Sequence, residues 1–222
     1  LMLQPNLGSA VIFFSIWFVM VVLSGLPMQR IGMAAGGTTA LLVAMYFFYE
    51  NGRRRIDAFL GGGTEFDQVD LAQRTLLGGG WFGTGMRLGE NKMRLPEAHT
   101  DYVFSVIGEE FGLIACAAIV LLYIAIVLRV LSRLMEEEDL FKVLAGTGLI
   151  AAFGGQAFIN IMVNLQLFPS KGMTLPLVSY GGSSIVALSL SVGAMLALTR
   201  RNPCRDRERF DWRALLPKGD AR

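Results

Sequence analysis

A short polar segment carries the groups best suited to chemistry. Six ionisable side chains fall within twelve positions: Glu90, Lys92, Arg94, Glu97, His99 and Asp101. A carboxylate in such a cluster can act as a general base, and the cations beside it can bind an anionic group. Asp101 also stands at the expected start of an apolar helix, where an acid can simply cap the helix N-terminus. Composition alone favours capping for Asp101.

A second candidate group is Lys171, the lone charged residue between Val143 and Thr199. A lysine there either marks the membrane interface by snorkelling or holds an anionic headgroup. Prolines and glycines interrupt the helical pattern around it. Irregular backbone at membrane depth is tolerated where it lines a cavity or is buried in protein. The segment around Lys171 is therefore predicted to border a cavity.

Three amides, Gln156, Asn160 and Asn164, recur every four residues, which places them on one helical face. Such a stripe is typical of hydrogen bonding between helices, and contact with a ligand is compatible if the stripe borders the cavity.

The glycines between Gly78 and Gly85 suggest a phosphate-binding loop. Neither the lysine-serine pair nor the preceding strand of a P-loop is present, so a flexible turn is favoured.

Composition narrows the class of protein. The 222 residues are 53% hydrophobic and 17% charged, against about 25% charged in soluble domains, and the mean hydropathy is +0.50. A net charge of +2 without a basic, aromatic stripe excludes a nucleic-acid partner. One histidine and two cysteines exclude a multi-histidine or cysteine-rich metal site and a disulfide framework. A membrane protein remains.

Five uncharged runs are long enough to hold a membrane-spanning helix of about 20 residues. They cover 8–26, 31–49, 111–128, 143–170 and 172–199. The chain opens inside an apolar run without an initiator Met. We therefore expect upstream sequence, and interpret the chain as the C-terminal part of a longer polytopic protein.

Basic clusters predict the sidedness of the loops. They follow the second run, border the turn near 129–142 and follow residue 199, so these regions are predicted to be cytoplasmic. Two crossings must then separate the first two clusters, and one must lie in 56–80. That segment carries Asp57, Glu65, Asp67, Asp70 and Arg74, which predicts a polar crossing helix facing a wet cavity. The alternative is a cytoplasmic amphipathic helix.

The same topology puts two loops, 81–100 and 166–180, on the outer face. Residues 1–199 form the predicted transmembrane domain, and 200–222 form a basic cytoplasmic tail. The predicted outward cavity has one acid, several cations and amphipathic walls. It suits a substrate with an anionic headgroup and an apolar tail.

Several long motifs resemble the signatures of the SEDS family (shape, elongation, division and sporulation). Residues 95–104, LPEAHTDYVF, resemble its PEAHTDFIF element, and 108–112, GEEFG, resemble GEELG. Residues 156–161, QAFINI, match a family element, and 169–184, PSKGMTLPLVSYGGSS, resemble the closing signature of the division type. Residues 4–9, QPNLGS, resemble QPDLGT, with Asn6 replacing the usual aspartate.

The resemblance implies an all-α, polytopic transmembrane bundle of ten helices, of which this chain supplies about six. It also implies a peptidoglycan glycosyltransferase that polymerises lipid II on the outer face of the bacterial cytoplasmic membrane during septal wall synthesis. The family's essential acid falls on Asp101, which becomes the expected general base. The expected partners are lipid II, a class B penicillin-binding protein (a transpeptidase), other division proteins and membrane lipid.

A further set of residues is expected to bind the substrate or orient Asp101: Lys171, Arg94, Lys92, Glu97, His99, Gln156, Asn160 and Ser179. No cofactor or protein-bound metal is specified by a motif, although a divalent cation, Mg or Mn, is compatible with a pyrophosphate leaving group. Two other functions remain open, a lipid II flippase and a non-catalytic division scaffold.

Overall fold

The computed structural model describes residues 7–25, 27–48, 64–168 and 172–200. They form six α-helices and one 3₁₀ turn, and these ranges contain no strand, which confirms the all-α prediction. The helices are α1 (Leu7–Leu23), α2 (Met28–Phe48), α3 (Thr64–Gly78), α4 (Val103–Leu134), α5 (Leu140–Asn164) and α6 (Gly182–Thr199), and the 3₁₀ turn is Asn91–Met93.

Each uncharged run holds a helix. Within the described residues, α4, α5 and α6 are long and apolar enough to cross a membrane. The last helix begins at Gly182 rather than at the start of its run, because Pro176 and the flanking glycines interrupt the chain before it. Residues 172–181 therefore form an irregular segment, called here the closing loop.

The helix pair α4 and α5 forms the centre of the fold. Asp139 caps α5 by accepting a hydrogen bond from the Phe141 amide at 3.0 Å, so the chain reverses sharply after α4. The end of α5 consequently lies beside the start of α4. This arrangement brings together the closing loop and the loop between α3 and α4 (residues 79–102), which leads to Asp101 and precedes α4. These are the two loops predicted to lie on the outer side.

Two buried clusters hold the helices together. The larger one joins α4, α5 and the closing loop through Phe104, Tyr123, Ile150, Phe153 and Leu175, among others. The smaller one lies beneath the loop that precedes α4 and consists of Ala72, Leu95, Ala98, Tyr102, Ile159 and Val163. The polar residues of that loop are thus fixed to the bundle from below.

The described part of the predicted polar crossing is the amphipathic helix α3. Val69, Ala72 and Leu76 are buried, whereas Asp70 and Arg74 pair at 2.8 Å on a more exposed side. Because residues 56–63 lie outside the described part, the crossing itself stays a prediction. Also outside it are the arginines at 53–55, the QPN of the first motif, Lys171 and the tail from 201.

Candidate active site

Asp101 lies in the turn directly before α4. Its backbone amide donates to the Glu97 carbonyl at 3.2 Å, and its side chain is half-buried. The N-cap of α4 is Tyr102, and no side-chain hydrogen bond is made at that cap. Asp101 therefore precedes the N-cap position of α4 by one residue. Glu97 has a φ of +57°, and such rarely adopted backbone conformations cluster at functional sites.

The signature around Asp101 divides into an inner and an outer side. Leu95, Ala98 and Tyr102 are buried, and their spacing of three and four residues suits a helical turn packed on the bundle. Glu97 and His99 are exposed. The apolar letters of the motif anchor the turn, and its polar letters face away from the core.

The amide stripe of α5 binds the backbone of the Asp101 turn. Asn160 donates from Nδ2 to the Asp101 carbonyl at 2.8 Å, and the same amino group donates to the Met173 carbonyl of the closing loop. Asn164 Nδ2 donates to the Asp101 carbonyl at 3.3 Å, and its Oδ1 accepts from the Ser105 hydroxyl at 2.7 Å. The predicted hydrogen bonding between helices is confirmed for Asn164, which bonds Ser105 of α4, whereas the bonds of the stripe to Asp101 and Met173 go to loop backbone.

The rest of the closing loop is held by similar bonds. Gln156 Nε2 donates to the Thr174 carbonyl at 2.9 Å, and the Thr174 hydroxyl bonds the Ser184 hydroxyl at 2.9 Å. Ser179 is buried, and its Oγ accepts from the Leu175 amide at 2.7 Å. These contacts fix an otherwise irregular segment against α5 and the start of α6.

The closing loop comes directly beside the Asp101 carboxylate. A Cβ built on Gly172 would lie 3.3 Å from Asp101 Oδ2, and Gly172 has a φ of +58°. Glycine is therefore favoured there both by the backbone and by the space available. The two loops also share a backbone hydrogen bond, from the Tyr180 amide to the His99 carbonyl at 2.9 Å. Asp101 thus lies where the two loops meet.

On its other side, the loop before α4 inserts into a break in that helix. Gly112 has φ +82° and ψ 174°, which interrupts α4. The Leu113 amide donates to the Gly80 carbonyl at 3.0 Å, and the Ile114 amide donates to the Trp81 carbonyl at 3.4 Å. The loop supplies the acceptors that these amides lack within the helix.

Glycines permit this close contact. A Cβ on Gly79 would lie 2.0 Å from the Gly108 carbonyl oxygen, and one on Gly83 would lie 2.2 Å from the Glu110 carbonyl oxygen. The segment is a turn, as favoured from the sequence, but Gly79 and Gly83 are packed tightly in it. They allow two backbones to pack directly against each other.

Two acids next to this break hold the loop. Glu109 is 2% exposed, and its carboxylate accepts from the amides of Asn91 at 2.9 Å and Lys92 at 3.0 Å. Glu110 accepts from the Arg87 amide at 3.0 Å and pairs with the Lys92 ammonium. The GEEFG motif therefore anchors the loop that leads to Asp101.

The predicted site residues take three kinds of position. Arg94, Glu97 and His99 are exposed in the loop that leads to Asp101. Lys92 has an internal carboxylate as partner, and Gln156, Asn160 and Ser179 make internal contacts to loop backbone. For these four residues the structure supports a role in holding the loops.

Lys171 lies outside the described residues. No three described His, Cys, Asp or Glu side chains group as metal ligands.

Sequence reasoning missed the anchoring residues. Glu109 and Glu110 belong to the GEEFG motif, but the motif alone does not indicate what they bind. The sequence reasoning also missed Ser105 and Thr174. The available signal was the pair of adjacent acids inside an otherwise apolar span, since buried charges are expensive unless they are paired or hydrogen-bonded.

Comparison with known proteins gives consistent relatives. Residues 1–203 match the family model FTSW_RODA_SPOVE, described as cell cycle protein. A Caulobacter vibrioides protein named "Probable peptidoglycan glycosyltransferase FtsW" is 37% identical over 91% of this chain and 52% of its own length. The Xanthomonas oryzae pv. oryzae protein of the same name is 34% identical over 90% of this chain and 43% of its own length. The chain thus spans about half the length of these relatives.

Two solved structures are also similar to this chain. One, described as "Structural coordination of polymerization and crosslinking by a peptidoglycan synthase complex", matches 94% of this chain and 58% of its own with 29% identity and a TM-score of 0.72. The Thermus thermophilus rod shape determining protein RodA matches 94% of this chain and 53% of its own with 29% identity and a TM-score of 0.59. Together with the three helices of spanning length, these matches indicate a multi-pass membrane protein. The chain therefore belongs to the FtsW, RodA and SpoVE cell cycle protein family, the SEDS family that its motifs resemble.

Proposed function

We propose that the full-length protein is a peptidoglycan glycosyltransferase that polymerises lipid II, with Asp101 as the general base. One observation carries the proposal: Asp101 lies where two loops meet, with its backbone held by α5 amides and its carboxylate beside Gly172. The names of the curated relatives support the same reaction.

The mechanism follows from the chemistry of the two substrates. A sugar hydroxyl is a poor nucleophile near neutral pH, so a carboxylate within hydrogen-bond reach removes its proton as it attacks. Attack on the anomeric carbon breaks the bond to the lipid pyrophosphate and inverts an α linkage to a β linkage. The proton goes to Asp101, and the electron pair leaves with the pyrophosphate.

The leaving pyrophosphate gains negative charge and needs cations nearby. We assign this task to Lys171 and Arg94, and His99 and Glu97 to contact with the substrate or with Asp101. Lys92 is less suited, because its ammonium already pairs with Glu110. No step is assigned to a Mg or Mn ion.

The setting we propose is the division septum of the bacterial inner membrane, with a class B penicillin-binding protein as partner. The relatives named FtsW and the solved synthase complex that coordinates polymerisation with crosslinking support this choice. The substrate headgroup would be handled on the outer face, where the two loops are predicted to lie.

The test is polymerisation of lipid II by the purified full-length protein with its transpeptidase partner. Asp101→Asn removes the base while keeping the side-chain shape, so we expect a loss of about a hundred- to ten-thousand-fold in rate. Glu138→Gln, an exposed acid in the turn between α4 and α5, is the matched control and should keep full activity.

Near-normal glycan synthesis by Asp101→Asn would contradict the base assignment. Wild-type protein that moves lipid II across vesicles without making glycan would indicate a flippase. Full complementation of division by Asp101→Asn, without polymerisation by either form, would indicate a scaffold.

The proposed role of Lys171 in binding the pyrophosphate has its own test. Lys171→Arg should keep part of the activity and Lys171→Met much less. Equal activity of Lys171→Met and wild type would favour snorkelling.

A further inference from the structure

One side chain in the described part of the chain hydrogen-bonds both loops at the candidate site. Asn160 is 2% exposed. Its Nδ2 donates to the Asp101 carbonyl at 2.8 Å and to the Met173 carbonyl. An amide group has two N–H donors, so both are used, one for each loop. The separation of the two carbonyls is therefore set by a single amino group.

Its neighbours on the stripe each hold one loop. Gln156 bonds Thr174 in the closing loop. Asn164 bonds Asp101 in the turn before α4, together with Ser105. Asn164 Nδ2 also donates to Asn160 Oδ1 at 3.3 Å, so Gln156 is the amide that can be removed without touching the Asn160 bridge. Removing Asn160 leaves each loop held to α5 separately, with no amide common to both.

We propose that Asn160 is a positioning residue that sets the distance between the Asp101 carboxylate and the closing loop. The inference rests on the proposed function, because it supposes that this distance matters for proton transfer. A general base must come within about 2.6–3.2 Å of its proton donor. A displacement of about 1 Å can cost a hundred-fold in rate. Asn160 contacts the carbonyl of Asp101 and is uncharged, so it orients the acid without adding a charge beside it.

The first test separates catalysis from substrate binding. In the full-length protein with its partner, Asn160→Leu keeps the branched shape of the side chain and removes both donors. We expect kcat to fall about 10- to 100-fold, up to the loss that a displacement of about 1 Å can cause, with KM for lipid II little changed. Gln156→Met is the matched comparison, since it removes one amide of the same stripe but spares the bridge, and its loss of kcat should be smaller.

The second test does not depend on glycosyl transfer. The Tyr180 amide bonds the His99 carbonyl at 2.9 Å, so cysteines at these positions should lie within disulfide range. In a full-length background otherwise free of cysteine, the pair His99→Cys and Tyr180→Cys should oxidise quickly. Adding Asn160→Leu should slow oxidation several-fold, and adding Gln156→Met should slow it less.

Asn160→Gln guards against simple misfolding, because it keeps both N–H donors on a side chain that is one methylene longer; it should keep more kcat and faster crosslinking than Asn160→Leu. Wild-type kcat in a folded Asn160→Leu protein would overturn the proposal, and so would a large loss of kcat with unchanged crosslinking. A wild-type protein that makes no glycan would defeat the proposed function, whereas the crosslinking rates would still show whether Asn160 holds the loops.

Discussion

The loop that ends at Asp101 is held by acids on one side and by amides on the other. On α4, Glu109 and Glu110 accept from backbone amides and from the Lys92 ammonium. On α5, Asn160 and Asn164 donate to backbone carbonyls. Acidic side chains therefore bind the backbone N–H groups of the loop, and amide side chains bind its backbone carbonyl groups. Where the acceptors belong to Asp101 itself, the partners are uncharged.

The two sides also differ in what their loss should cost. A buried carboxylate held by two amides is a charged network, and hydrogen bonds to charged groups contribute about 1.5–3 kcal/mol. Hydrogen bonds between neutral groups in membrane proteins average about 0.6 kcal/mol. Stability should thus depend mainly on the α4 side and activity mainly on the α5 side. The following substitutions test that division, in the full-length protein purified in detergent.

The largest loss of stability is expected from Gly112→Ala. A Cβ there would lie 2.3 Å from the Trp81 carbonyl oxygen, at a φ of +82°. Overpacking costs about 1–3 kcal/mol. This φ combined with a ψ of 174° is a conformation essentially confined to glycine, and it costs another residue about 1–3 kcal/mol more, so little folded protein should be recovered. Gly155→Ala, in α5 with nothing within 4 Å of the added methyl, is the control and should purify normally. Equal melting temperatures of the two variants would contradict the close packing of the backbone at Gly112 against the backbone at Trp81.

The next largest effect is expected from Glu109→Gln. Glutamine keeps one acceptor oxygen, so one of the Asn91 and Lys92 amides loses its partner at a cost of about 1–3 kcal/mol. The melting temperature should fall clearly, whereas Glu138→Gln, at an exposed position, should leave it unchanged. An unchanged melting temperature for Glu109→Gln would mean that the anchor tolerates a neutral group.

These two sites also show where sequence reasoning stopped. The uncharged runs and the four-residue spacing of the amides predicted the helices and the stripe, because both depend on local periodicity. The packing of Gly79 on Gly108 and of Gly83 on Glu110 joins segments more than twenty residues apart. No local pattern contains that contact, so the sequence predicts a turn but not the packing of its glycines.

The same limit applies to individual charges. Lys92 belongs to a cluster of polar residues, and its sequence neighbours do not reveal that its ammonium pairs with Glu110 on another element. The position of Asp101 before a helix suggests a cap, but which residue takes the N-cap position depends on one turn of backbone. That turn makes Tyr102 the N-cap. Residue types predicted the chemistry available, and the fold decided which groups face each other.

A smaller effect should come from the Lys92–Glu110 pair, whose side chains are 15% and 13% exposed. In a double-mutant cycle with Lys92→Met and Glu110→Gln, neighbouring charges typically couple by about 0.5–3 kcal/mol. We expect a value near 1 kcal/mol that decreases as salt is raised. Additive losses of stability would show that the loop is held by Glu109 and the backbone contacts without this pair.

The smallest effect is expected from Tyr123→Phe, and it sharpens the comparison most. Tyr123 lies on α4, yet its hydroxyl donates to the Pro176 carbonyl of the closing loop. This hydroxyl is an uncharged donor to a backbone carbonyl, as are the amides of α5, although it comes from α4, the helix that carries Glu109 and Glu110. Its loss should cost about 0.6 kcal/mol, well below Glu109→Gln. Ser191→Ala, which removes a hydroxyl that bonds only within α6, is the control for losing one hydroxyl. A Tyr123→Phe loss as large as that of Glu109→Gln would show that the helix, rather than the charge of the contact, determines how strongly each loop is held.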